Sequence, residues 1–142
     1  MIVVPNNYLT SSRCKAQMDM LTIDFETYYA KDFGLRKFTT EEYIRDKRFE
    51  VIGVAVKNWH FGIVPKKIAD TLCMARAIHT IEVGGSLSAL VQHYELGLKG
   101  TEVLDALGKR RLDFSPEEME AYGGYCINDV ELTYALFGVL AP

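Results

Sequence analysis

Met20-Leu21-Thr22-Ile23-Asp24-Phe25-Glu26 is the stretch whose reading decides the fold. Its alternation of apolar and polar residues suits a β-strand, on which Asp24 and Glu26, two apart, project to the same side. A second acidic grouping lies near the other end, Tyr125-Cys126-Ile127-Asn128-Asp129. There the surrounding pattern predicts a helix, on which Tyr125 and Asp129, four apart, share a face. Three carboxylates and a phenol brought together are costly to hold without a cation, because like charges at short range raise each other's pKa. A metal site resolves this. Hard divalent ions such as Mg²⁺ take carboxylate oxygens and are completed by water and substrate phosphates, so the constellation points to phosphodiester chemistry.

These residues carry a family resemblance. Leu21-Thr22-Ile23-Asp24-Phe25-Glu26-Thr27 resembles the first motif of the DEDD (DnaQ-like) 3′-5′ exonucleases, and Tyr125-x-x-x-Asp129 resembles the third motif of their tyrosine subtype. Ile68 to Ala77 and Tyr125 to Thr133 are similar to segments of the proofreading domain of bacteriophage-type family A DNA polymerases. The likeness covers roughly residues 20 to 140. The family's second motif, which supplies a further metal-binding Asp at a strand-to-helix junction, has no counterpart. Val51-Ile52-Gly53-Val54-Ala55-Val56-Lys57 passes directly into Asn58-Trp59-His60, and no acidic residue lies between Glu50 and Asp70. A strand, a helix and another strand are skipped, on the order of 30 to 40 residues by average element and loop lengths.

The resemblance implies an α/β, RNase H-like mixed sheet flanked by helices and reduced by an internal deletion, with residues 1–19 as a poorly structured leader and 20–142 as an exonuclease-like domain. It implies a metal-dependent 3′-5′ exonuclease acting on the 3′ end of single-stranded DNA. Asp24, Glu26, Tyr125 and Asp129 would be catalytic. Asp24, Glu26 and Asp129 would hold Mg²⁺ or Mn²⁺ in a two-metal arrangement whose second site is weakened, and Tyr125 would orient the attacking water or contact the scissile phosphate. Asp70 falls in a segment where a carboxylate caps backbone donors, so it reads as structural and only secondarily as a substitute ligand. Two other readings stay open: a non-catalytic module that binds nucleic acid or a DNA polymerase, and a deletion remnant that merely folds. A sheet that has lost interior strands exposes edges to be covered by rearrangement, by the leader or by another chain, so a compacted sheet or a homodimer is expected.

Composition sets the bounds. The 142 residues, 49% hydrophobic and 25% charged, are enough for a soluble globular domain with a core. The apolar runs are too short for a membrane span, and Met1-Ile2-Val3-Val4-Pro5 lacks the features of a signal peptide, so a cytoplasmic location, in a bacterial or phage-infected cell, is expected. Cys14, Cys73 and Cys126 are too few and scattered for a disulfide framework and read as small buried side chains. With a net charge of −3, nucleic acid must be met by local basic patches. Lys109-Arg110-Arg111, directly before the last helix, is the patch singled out; Arg45-Lys47-Arg48, Lys66-Lys67 and Lys99 read more readily as solvated. His60, His79 and His93 lack ligand spacing, and Trp59 reads as core.

Element signals are clearest at the end of the chain. Ser115-Pro116-Glu117-Glu118 combines an N-cap, a first-turn Pro and a capping box, and predicts a helix from Pro116 to about Val139, weakened by Gly123-Gly124. Thr39-Thr40-Glu41-Glu42 predicts a short helix, and Phe49 to Val56 a strand. Ile68 to Leu72 predicts a brief strand leading into a helix to about Ile78. Leu87 to Glu95 predicts a helix with Leu87, Leu90, Val91 and Tyr94 on one stripe.

Overall fold

The computed structural model describes residues 2–6, 19–57, 68–79 and 83–141. The elements run β1 (Ile2–Asn6), β2 (Asp19–Thr27), α1 (Thr40–Arg45), β3 (Val51–Lys57), β4 (Ala69–Asp70), α2 (Thr71–Ile78), α3 (Leu87–His93) and α4 (Pro116–Leu140), with 3-10 turns at Glu102–Ala106 and Arg111–Asp113. The class is α/β. Strand order is β3-β2-β1-β4. By chain contacts the protein divides into two compact units, the first Met1–Asp24, Val56–Lys99 and Asp129–Pro142, the second Phe25–Ala55 and Gly100–Asn128.

In the first unit β1 pairs antiparallel with β2, Ile2 opposite Ile23 and Val4 opposite Leu21, and with β4, Ile2 opposite Asp70. The start of the leader is therefore an interior strand, where the sequence suggested a poorly structured segment. It gives the two-residue β4 a backbone partner. Residues 7–18, with Cys14, lie outside the described residues, as do Trp59, His60, Lys66 and Lys67.

Helix α2 starts where Asp70 accepts the Leu72 and Cys73 amides at 2.9 and 3.4 Å, the structural role its segment suggested. The expected strand is correspondingly shorter, because Thr71 and Leu72 are already helical. Ser86 caps α3 through the Ala89 amide. That helix ends at His93, short of Glu95, whose φ of 55° leaves the helical region. Leu90 and Val91 are buried as the stripe required, and Ala75, Leu90, Leu136 and Leu140 form this unit's core. Gly97, at φ 141°, lies where a Cβ would come within 3.1 Å of Leu132, so its role is loop shape and close packing. His79 is satisfied by the Tyr94 hydroxyl at 2.6 Å. Cys73 is exposed, contrary to the buried reading; its place in the first turn of α2, with Sγ 3.3 Å from Asp70, turns it outward.

The second unit is built on aromatic packing. Phe33 is fully buried between Tyr28, Phe38 and Tyr43, with the Arg48 guanidinium 4.3 Å above its ring. The Tyr43 hydroxyl donates to the Tyr28 carbonyl at 2.5 Å, which ties α1 to the end of β2. Thr39 and Glu42 form the expected capping box. Strand β3 begins two residues later than expected, since the Phe49 amide is committed to the Asp46 carbonyl in the preceding turn. A second cluster joins Ile52, Ala106, Tyr122 and Tyr125.

Helix α4 has the capping box read from sequence, with the Glu118 amide 3.2 Å from Ser115 Oγ and the Ser115 amide 2.9 Å from Glu118 Oε2. It runs unbroken through Gly123-Gly124, and a Cβ at either glycine meets nothing within 4 Å, so packing does not demand them. Among the described residues no helix is long and apolar enough to cross a membrane.

Two outcomes follow from this local chemistry. Gly124→Ala should stabilise the protein by roughly 0.5 to 1 kcal/mol, because an exposed mid-helix glycine gives up its conformational cost without a clash; a urea melt checks this, and a destabilised variant would show that the site is crowded. The Arg48 side chain and amide hold the Asp46 carboxyl down from 3.8 to about 2. A depressed folded-state pKa contributes stability that is fully present above 3.8 and lost as pH falls through about 2. Thermal melts should therefore show Asp46→Asn less stable than the parent at neutral pH, with the difference closing in acid.

Candidate functional site

Strand alternation and helix period decide which side chains meet. In the second unit Glu26, near the end of β2, is buried at 9% exposure and accepts a hydrogen bond from the Tyr122 hydroxyl at 2.8 Å. Tyr122 and Cys126 are one turn apart on α4, and the Cys126 thiol lies within 4.8 Å of a Glu26 carboxylate oxygen. Burial, then the adjacent Glu26 charge and the hydrogen bond to it, push the Tyr122 phenol above its ordinary pKa. Tyr29 is raised too, by burial first and then by the charges of Glu26 and Asp105. Both phenols stay protonated around Glu26, and Tyr122 is a fixed donor to it.

Tyr125, the phenol that the sequence singled out, is buried and lies parallel to Tyr122, ring centroids 6.0 Å apart. The hydroxyl found on Glu26 is that of Tyr122. The signal in the sequence that could have found Tyr122 is its i, i+4 spacing to Cys126 and i, i+7 to Asp129.

Asp24 precedes Glu26 by two on the same strand, and their carboxylate oxygens lie within 4.8 Å of each other. In the first unit Asp129 is 4% exposed. Its Oδ2 is ion-paired with Lys99, a residue read from sequence as solvated. Its other oxygen, Oδ1, is buried with no hydrogen-bond partner among the described residues, and the same holds for the hydroxyls of Thr22 and Thr133. Thr22 shares the β2 face of Asp24, and Thr133 lies one turn beyond Asp129 on α4. Buried oxygen acceptors without partners are costly, about 1 to 3 kcal/mol each, and a hard cation or water satisfies them. The Asp24 and Glu26 carboxylates offer hard oxygen ligands of the kind Mg²⁺ or Mn²⁺ takes, whereas the Cys126 thiol is too soft to be a ligand for Mg²⁺; among the described residues Asp129 is not part of that cluster.

The basic trio sits otherwise than expected. Lys109 pairs with Glu118 and Arg110 with Glu50, each at 2.6 Å, while Arg111 donates its amide to Glu50 and its guanidinium to the Ile52 carbonyl. These contacts pin the segment before α4 to the start of β3. The Arg111 amide and then the Arg110 guanidinium hold the Glu50 carboxyl below its usual range. The charges of Lys109 and Arg110 are thereby shared with Glu118 and Glu50.

Comparison of the chain with protein-family models, with curated proteins and with solved structures yields no match. Family resemblance thus rests on the residues themselves.

Removing Lys99 would leave Asp129 buried without its counter-charge. Lys99→Met should cost about 3 kcal/mol, and pairing it with Asp129→Asn should recover most of the loss. Urea denaturation of the two variants checks this, and a neutral Lys99→Met would show that the ion pair does not compensate Asp129.

Proposed function

We propose that this chain is a metal-dependent 3′-5′ exonuclease of DNA, of the proofreading type and RNase H-like fold, impaired by the absence of the second acidic motif. The observation that carries the reading is Glu26, a nearly buried carboxylate fixed by the Tyr122 hydroxyl and preceded on its strand face by Asp24. A surface acid needs no such support. A carboxylate held out of water with a dedicated donor, beside a second carboxylate, is an arrangement suited to a ligand.

Asp24, Glu26 and Asp129 would hold Mg²⁺ or Mn²⁺. When bound, such an ion supplies an activated water and offsets charge on the departing 3′ oxygen. The chain's own residues do the positioning. Tyr122 fixes the rotation of the Glu26 carboxylate and, as a raised phenol, does not compete with it for charge. Tyr125, stacked on Tyr122, keeps the role that the resemblance gives it, orienting water or the scissile phosphate. The substrate is the 3′ end of a single strand, and a separately encoded DNA polymerase is the partner this role calls for. With a ligand missing, the second ion is weakened most.

A second reading, a non-catalytic module that binds nucleic acid or a polymerase, is favoured by Lys99, which compensates Asp129 without any ion. Incubating a 5′-labelled single strand with Mg²⁺ or Mn²⁺ separates the two. Slow, Mn²⁺-favoured shortening from the 3′ end, abolished by Asp24→Ala, is the expected result. No shortening with either ion means the non-catalytic reading, and shortening that survives Asp24→Ala refutes the site.

A further inference from the structure

The second unit contains a cavity of about 680 Å³ beneath the turn that follows β2. Its volume falls within the roughly 300 to 1,000 Å³ typical of small-ligand pockets. The walls are aromatic, with Tyr29, Phe33 and Tyr43, and Phe25 stands at them with 53% of its surface exposed, unusual for a phenylalanine flanked by two carboxylates in sequence. Three cations of the same turn, Lys31, Arg36 and Lys37, also line it, and all three are exposed. Among the described residues no carboxylate pairs with any of them. This sets them apart from Lys109 and Arg110, whose charges are tied to Glu118 and Glu50. The single acid of the wall is Glu26, already engaged by Tyr122.

Among the described residues, three cations without a carboxylate partner against one carboxylate favour an anion, and the exposed aromatic ring favours a flat apolar group beside it. A nucleotide unit has both. We propose that this cavity is the binding site for single-stranded nucleic acid, with Lys31, Arg36 and Lys37 meeting backbone phosphates and Phe25 stacking a base. The inference rests on the nuclease reading for its choice of ligand, and it replaces Lys109-Arg110-Arg111 as the phosphate-contacting patch. Glu26 is part of the cavity wall, so a strand held here lies beside that carboxylate. Stacking and phosphate contact without base-edge readout make the site tolerant of sequence.

Fluorescence anisotropy of a short labelled oligothymidylate in EDTA tests this without turnover. The triple variant Lys31→Ala/Arg36→Ala/Lys37→Ala should lose at least about tenfold in affinity, and its log K against log salt slope should fall by about 2, for three phosphate contacts on a single strand. Phe25→Ala should lose about tenfold with the slope unchanged. A charge-matched control, Arg45→Ala/Lys47→Ala/Arg76→Ala, should bind like the parent. Equal affinity of the two triple variants, or no binding by the parent, overturns the cavity assignment whatever the cleavage assay gives. Binding that depends on Lys31, Arg36 and Lys37 in a protein that shortens no strand with either metal supports the cavity while the exonuclease reading fails.

Discussion

Keeping carboxylates charged where water is scarce is the constraint on which this structure depends. An ionised acid out of water must be paired or hydrogen-bonded, or it takes up a proton. The chain meets the requirement separately in each unit. Glu26 receives the Tyr122 hydroxyl, and Asp129 receives the Lys99 ammonium. The second solution is incomplete, since Asp129 Oδ1 is left without a partner among the described residues. An acid supported on one side and open on the other is poised for a further ligand. Replacing such acids by apolar residues of similar size would stabilise many folds, so their retention argues for a use beyond stability.

Much of the architecture was legible because it is local. The capping box of Ser115 and Glu118, the Thr39 cap, the Asp70 cap and the period-two run through β2 are decided by residues within four positions of one another. The parts that escaped depend on distant partners. Ile2-Val3-Val4-Pro5-Asn6 reads as a weak start broken by Pro5, and only its pairing with β2 and β4 makes it a strand. Lys99 lies 30 positions from Asp129, in a loop between Gly97 and Gly100 that carries no pattern. The division into two units, with β2 and α4 running through both, left no mark in composition.

Within the site the lesson is one of helical phase. Tyr122 and Tyr125 are both buried phenols on α4, separated by less than a turn, and spacing alone does not say which reaches the strand. The family-like spacing of Tyr125 to Asp129 drew attention to one, whereas the hydrogen bond to Glu26 belongs to the other. Basic residues gave a similar inversion. A run of three cations is conspicuous in sequence, yet Glu50 and Glu118 bind two of them to the fold, while Lys31, Arg36 and Lys37 line a cavity with no carboxylate partner among the described residues. Sequence reports charge; the fold decides which charges are available.

The central proposal is that Asp24 and Glu26, the carboxylate pair of β2, serve a divalent cation. Calorimetric titration of Mn²⁺ into the protein, and into its Asp24→Asn variant, addresses it most directly, because heat and stoichiometry report binding apart from any reaction. The account predicts a saturable site in the parent that is lost or greatly weakened in the variant. Absence of binding in the parent, or a site that Asp24→Asn leaves untouched, would contradict it.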